Sequence, residues 1–210
     1  TFPAESTLAD PQAARELAER FLQAELRNGT TTAMVYGTRH PHSVDAFMQA
    51  AEKRDLRMIC GKSLMDRHCP PELRDDTLGS IQDTRELITR WHNRARLAIA
   101  VTPRFAPSST QTQLKAAGQL LKEWPDLYMQ THLAETRAEV EWVKSLYPSA
   151  NHYLDVYDRA DLIHNRSVLG HCIYLHDKEW KLLAKRQARI AHCPSSNFFL
   201  GSGIFNAHRA

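Results

Sequence analysis

No run of apolar residues in this sequence approaches the ~20 that a membrane-spanning helix needs, and no charged-then-apolar leader opens it. A soluble, cytoplasmic protein with no membrane partner is the expectation. The four cysteines, Cys60, Cys69, Cys172 and Cys193, form no C-x-x-C pair, so a zinc knuckle and a thioredoxin-type motif are both excluded. They are expected to be free, buried thiols. There is no block of Lys and Arg: charged residues make up 24% of the chain, are spread along it, and leave a formal net charge of only +3. A nucleic-acid partner is therefore not expected. Several catalytic motifs are missing as well. Gly61-Lys62-Ser63 ends like a phosphate-binding loop, but the earlier glycine that such a loop requires is Leu56. No H-E-x-x-H and no G-x-S-x-G occurs, and the H-x-E with P-C-x-x-C of cytidine-deaminase-type zinc sites is absent.

What is present is alternation. Asp10-Pro11 reads as an N-cap with proline at the first helical position, and Ala14, Leu17, Ala18, Phe21 and Leu22 recur at helical spacing until Asn28-Gly29. Further stripes follow at Val44, Phe47, Met48 and Ala51; at Ile81, Leu87, Ile88 and Trp91; at Leu114, Ala117, Leu121 and Trp124; at Val140, Val143 and Leu146; and at Trp180 and Leu183. Between them lie β-branched or apolar runs that predict six strands, near residues 31–37, 57–64, 97–104, 127–132, 167–172 and 189–193. Strands buried on both faces and separated by helices imply a parallel sheet in an α/β fold, within one domain over 1–210.

Polar residues choose between an open sheet and a barrel. Arg104, His132, His171 and His192 all stand at or just past the C-terminal end of a predicted strand. In a barrel, several strands contribute from those ends to one central site. The expectation is a (β/α)8 barrel with about six of its eight strands in this chain. Two or three neutral imidazoles converging there suit zinc or another transition metal. Glu135, three residues past His132, reaches the same pocket without coordinating, as a carboxylate for proton transfer beside a metal. The cluster points to metal-assisted hydrolysis. Alternation along the strand then turns Cys172 and Cys193 toward the helices, away from the pocket. The remaining histidines fall in predicted helices or loops and are read as structural.

The segments GTTTAMVYGT, PRFAPSS, THLAET, VKSLYP, GHCIYL and AHCPSSNFFLGSGIFN, in this order and spacing, resemble the guanine deaminases of the metal-dependent amidohydrolase superfamily. PRFAP carries the narrower resemblance; THLAE and AHCPSSN are shared with triazine hydrolases and other nucleobase deaminases. The resemblance implies a TIM-like amidohydrolase barrel that hydrolyses guanine to xanthine and ammonia with zinc, often as a homodimer. It implies zinc ligation by His132 and His171 and proton transfer by Glu135. Arg104 and Phe105 would hold the base, with His132 and Glu135 bordering it, and His192 would lie near the attacked carbon. The family's first strand also supplies an H-x-H pair and its last strand an aspartate, and neither is in these 210 residues. The expectation is thus a central fragment that alone binds zinc weakly and turns over little guanine, with Asp66 the one conceivable substitute for the aspartate. Another amidohydrolase acting on a triazine, pterin or other nucleobase, or an inactive scaffold with the same fold, are the rival readings.

Overall fold

The computed structural model describes residues 2–210, which alternate strands with helices almost throughout. The chain divides into two compact units, Thr1–Thr102 and Pro103–Ala210. Among the described residues, no helix is long and apolar enough to cross a membrane.

In the first unit, strands β1 (Thr32–Tyr36), β2 (Arg57–Gly61) and β4 (Ala98–Pro103) run parallel in that order, with β3 (Ser63–Leu64) paired to β4. The register pairs Met34 with Ile59 and Ile59 with Ala98. Every residue of β4 is buried, as expected for a parallel strand covered on both faces. The predicted cap holds: the Asp10 carboxylate accepts the N–H groups of Gln12 and Ala13, and the helix runs Pro11–Arg27. Gly29 lies just beyond the end of that helix with φ of +79°. Leu17 departs from the predicted apolar stripe, being 45% exposed while Ala14, Ala18 and Leu22 are buried.

The strand expected over 57–64 is two strands. Gly61 passes so close to β4 that a Cβ there would lie 1.8 Å from the Ala100 carbonyl oxygen. Past it, Lys62 turns its side chain inward to Asp75, donating from Nζ to Oδ1 over 2.7 Å, and pairing resumes only at Ser63. Asp75 also accepts the Met65 N–H at Oδ2, 2.8 Å away, while its own N–H donates to the Met65 carbonyl over 2.7 Å. These bonds close the neck of loop 66–74. Asp66 accepts a hydrogen bond from Thr77 Oγ1 at 2.8 Å.

In the second unit, β5 (Tyr128–Leu133), β6 (Ser167–His171) and β7 (Arg189–Ala191) are parallel, pairing Thr131 with Leu169 and Leu169 with Ile190. Helix Gln111–Glu123 packs closely enough that a Cβ on Gly118 would meet the Ala160 carbonyl at 1.8 Å. Thr110 and Thr136 cap the helices that follow β4 and β5, accepting from the N–H groups of Gln113 and Glu139.

Candidate active site in the second unit

The ends of β5 and β6 place two imidazoles side by side. The rings of His132 and His171 stack at 24° with centroids 5.5 Å apart. His132 Nδ1 lies 2.7 Å from the Arg104 carbonyl oxygen, and its backbone N–H donates to the same oxygen over 3.2 Å. A carbonyl only accepts, so Nδ1 carries the proton and Nε2 keeps its lone pair. Burial is the main reason that the His132 pKa falls below the ordinary histidine value, which keeps the ring neutral. His171 has the same arrangement. Its Nδ1 donates to Asn197 Oδ1 over 2.7 Å, again leaving Nε2 as the outward nitrogen. Two imidazoles oriented through Nδ1 by oxygen acceptors are what a metal ligand pair requires of its surroundings.

Glu135 lies between Leu133, the last residue of β5, and the cap Thr136, outside the helix; the acid in the first helical turn is Glu139. Its Oε2 is 3.5 Å from His171 Nε2, and its Oε1 accepts from Ser202 Oγ at 2.9 Å. Its N–H is held by Glu139 Oε2 at 3.1 Å. The backbone gets there by a tight turn at Ala134, where φ is +50°. His171 and Cys172 are left-handed too, with φ of +68° and +54°. The ladder nevertheless continues past the strand ends: the Cys172 N–H donates to Leu133 O, and those of Ile173 and Tyr174 to Ala134 O.

Arg104 follows the end of β4 and is half-buried. Phe105 has extended backbone and packs edge-on against Trp142, centroids 6.3 Å apart. His192 is not drawn into the group. It is exposed, and its ring lies against Phe205 at 5.1 Å. Among the described residues, no three or more His, Cys, Asp and Glu side chains gather as a metal-binding set; of the two or three imidazoles expected to converge, His132 and His171 stand together. Of the thiols, Cys60, Cys69 and Cys172 are buried, but Cys193 is partly exposed, because β7 ends at Ala191 and alternation does not extend to residue 193. The roles of Asn197, Ser202 and Glu139 escaped sequence reasoning, since each touches the site through one hydrogen bond; Asn197 and Ser202 stand in the segment AHCPSSNFFLGSGIFN, which carries a resemblance but not these contacts.

A model of the amidohydrolase family matches residues 2–210. A guanine deaminase of Escherichia coli strain K12 is 48% identical over 210 residues, which make up 100% of this chain and 48% of that protein. The solved structure of E. coli guanine deaminase has a TM-score of 0.99 to this chain at 48% identity, covering 100% of this chain and 49% of the other. A crystal structure of guanine deaminase from C. acetobutylicum, with guanine bound in the active site, has a TM-score of 0.94 at 32% identity, covering 97% of this chain and 49% of that one. The chain spans about half the length of the relatives it matches.

Proposed function

Because the chain belongs to the amidohydrolase family, we propose that it carries the base-holding residues and part of the metal site of a zinc-dependent guanine deaminase, within one partial barrel domain. Its fold class is α/β, a portion of a (β/α)8 barrel. The overall reaction consumes guanine and water and yields xanthine and ammonia. The observation that best supports the reading is the stacked His132–His171 pair, each imidazole committed through Nδ1 to an oxygen, with the Glu135 carboxylate 3.5 Å from His171 Nε2.

In this reading His132 and His171 hold zinc through Nε2, and zinc supplies Lewis-acid activation of water. Glu135 moves the protons. Oε1 is fixed by Ser202, which leaves Oε2 to carry the two protons of the attacking water in turn, the first to the purine ring nitrogen, which keeps it, and the second to the amine that departs as ammonia. Arg104 presents a guanidinium, a bidentate donor matched to the O6 and N7 acceptors of guanine. Phe105 offers an apolar face to the flat base.

The test is ammonia release from guanine by the protein that carries this chain, its loss on chelation and its return with zinc. Glu135→Gln is expected to lower kcat by about 10²–10⁴-fold, the range for a lost general acid–base group. Arg104→Ala is expected to raise KM for guanine selectively. Release of ammonia from a diaminotriazine or a pterin but not from guanine would transfer the assignment to another branch of the family.

A further inference from the structure

The PRFAP segment and the strand bearing His132 meet at a side chain that the chemistry above does not use. Tyr157, in helix Tyr153–Asp158, is 0% exposed. Its Oη accepts the Ala106 N–H at 2.7 Å and the Thr131 hydroxyl at 3.1 Å. Two oxygens are in reach of its single proton. The His132 carbonyl lies at 2.9 Å and Tyr153 Oη at 3.5 Å, and Tyr153 gives its own proton to Glu139 Oε1 over 2.7 Å. The shorter contact takes the Tyr157 proton, so the phenol accepts twice, donates once and is saturated. The Ala106 N–H belongs to the peptide that joins it to Phe105. The carbonyl of Ala106 lies 3.1 Å from a second phenol, Tyr147 Oη, which is closer to the Ser109 carbonyl and gives its proton there.

We propose that Tyr157 is a positioning residue: its hydroxyl fixes the base-holding segment Arg104–Ala106 against the main chain of His132, and so sets the spacing between substrate and metal. This rests on the guanine deaminase reading. A phenylalanine would fill almost the same volume, so packing alone does not call for the hydroxyl. Two of its three bonds join backbone groups 26 residues apart in sequence, the Ala106 N–H and the His132 carbonyl. A fully satisfied buried polar group of this kind specifies one geometry, since any slippage strands a buried donor or acceptor. The same tyrosine network reaches Glu135, because Glu139, which accepts from Tyr153, also holds the Glu135 N–H.

In the protein that carries this chain, Tyr157→Phe is expected to raise KM for guanine about tenfold, with zinc content and kcat per bound zinc holding within about threefold. Amide exchange at Ala106 is expected to quicken at least ~10-fold, as its acceptor is gone. A merely structural role would lower the folded fraction, and with it the apparent kcat, and leave KM alone. An unchanged KM overturns the proposal. If the unaltered protein releases no ammonia from guanine, the functional reading fails by itself, and Ala106 exchange, which needs no substrate, decides on Tyr157: unchanged exchange overturns its role and faster exchange supports it. Should Y157F not fold, Thr131→Val removes one donor to the phenol and keeps the other two bonds. A KM raised about threefold then supports the proposal and an unchanged one overturns it.

Discussion

Replacing Lys62 by methionine isolates one buried charge whose cost the structure allows us to work out. Lys62 and Asp75 have side-chain exposures of 0% and 1%, and Nζ donates to Oδ1 over 2.7 Å. Burial pushes the lysine below its ordinary pKa and the aspartate above its own, and in each the partner's charge works in the opposite direction. Both ions are thus held in place by each other. In Lys62→Met the carboxylate stays buried, with Arg39 Nε at 3.7 Å as its remaining cation. Breaking a buried pair from one side costs about 3–5 kcal/mol. For a chain of this size, ~1 kcal/mol moves the midpoint by about 2–4 °C, so Tm should fall by roughly 6–20 °C. The double variant K62M/D75N removes both charges and keeps an oxygen for the Met65 N–H, and should recover at least half of the loss. The pH dependence has a definite sign. A carboxyl whose folded pKa is raised favours folding while protonated, and that contribution is lost as pH rises through the folded pKa. The K62M deficit should therefore shrink as the pH is lowered from neutrality. The assay is urea and thermal unfolding of both single variants and the double variant at several pH values. A single variant whose Tm stays within ~2 °C of the parent, or a double variant no more stable than K62M, would refute the reasoning.

Two further outcomes are expected. Asn197→Ala deprives His171 Nδ1 of its acceptor at 2.7 Å, and metal affinity, read by cobalt titration against a chelator, should weaken roughly 10–100-fold; an unchanged affinity would show that Asn197 does not orient the ligand. In the folded protein at pH 8, a disulfide reagent should modify Cys193 quickly and the other three thiols only after unfolding. Burial pushes Cys60 up to about 12 and raises Cys69 and Cys172, so all three stay protonated. Rapid reaction of more than one thiol would contradict the burial pattern.

Much of the architecture was legible because periodicity is a local property. The helix stripes at Val44–Ala51 and Ile81–Trp91 are buried as their spacing implies, and the strand ends fall within a residue or two of expectation for β1, β4, β5, β6 and β7. The break at Lys62 was not legible, because it depends on a carboxylate 13 residues away and on the closeness of Gly61 to Ala100. His132, Glu135 and His171 were found from their place at strand ends. Position along the chain could not show that Asn197 orients His171 from 26 residues away, or that Ser202 reaches Glu135 from 67. β7 has only three residues and ends before His192, whose exposed ring lies against Phe205.

The left-handed backbone at Ala134, His171 and Cys172 bears on how the site responds to sequence drift. L-residues pay about 1–2 kcal/mol to adopt that conformation, and glycine would relieve it. Substituting glycine at Ala134, where only a methyl group is lost, is thus an easy route to a more relaxed backbone, whereas at the buried Cys172 the lost side chain offsets the gain. The exchange at Ala134 would give the loop new conformations next to Glu135 and His171, where the present chain has one. A library scored by melting temperature would enrich that glycine, and a library scored by turnover would discard it. The disagreement between the two scores, position by position, would map where this fold keeps stiffness at the expense of stability.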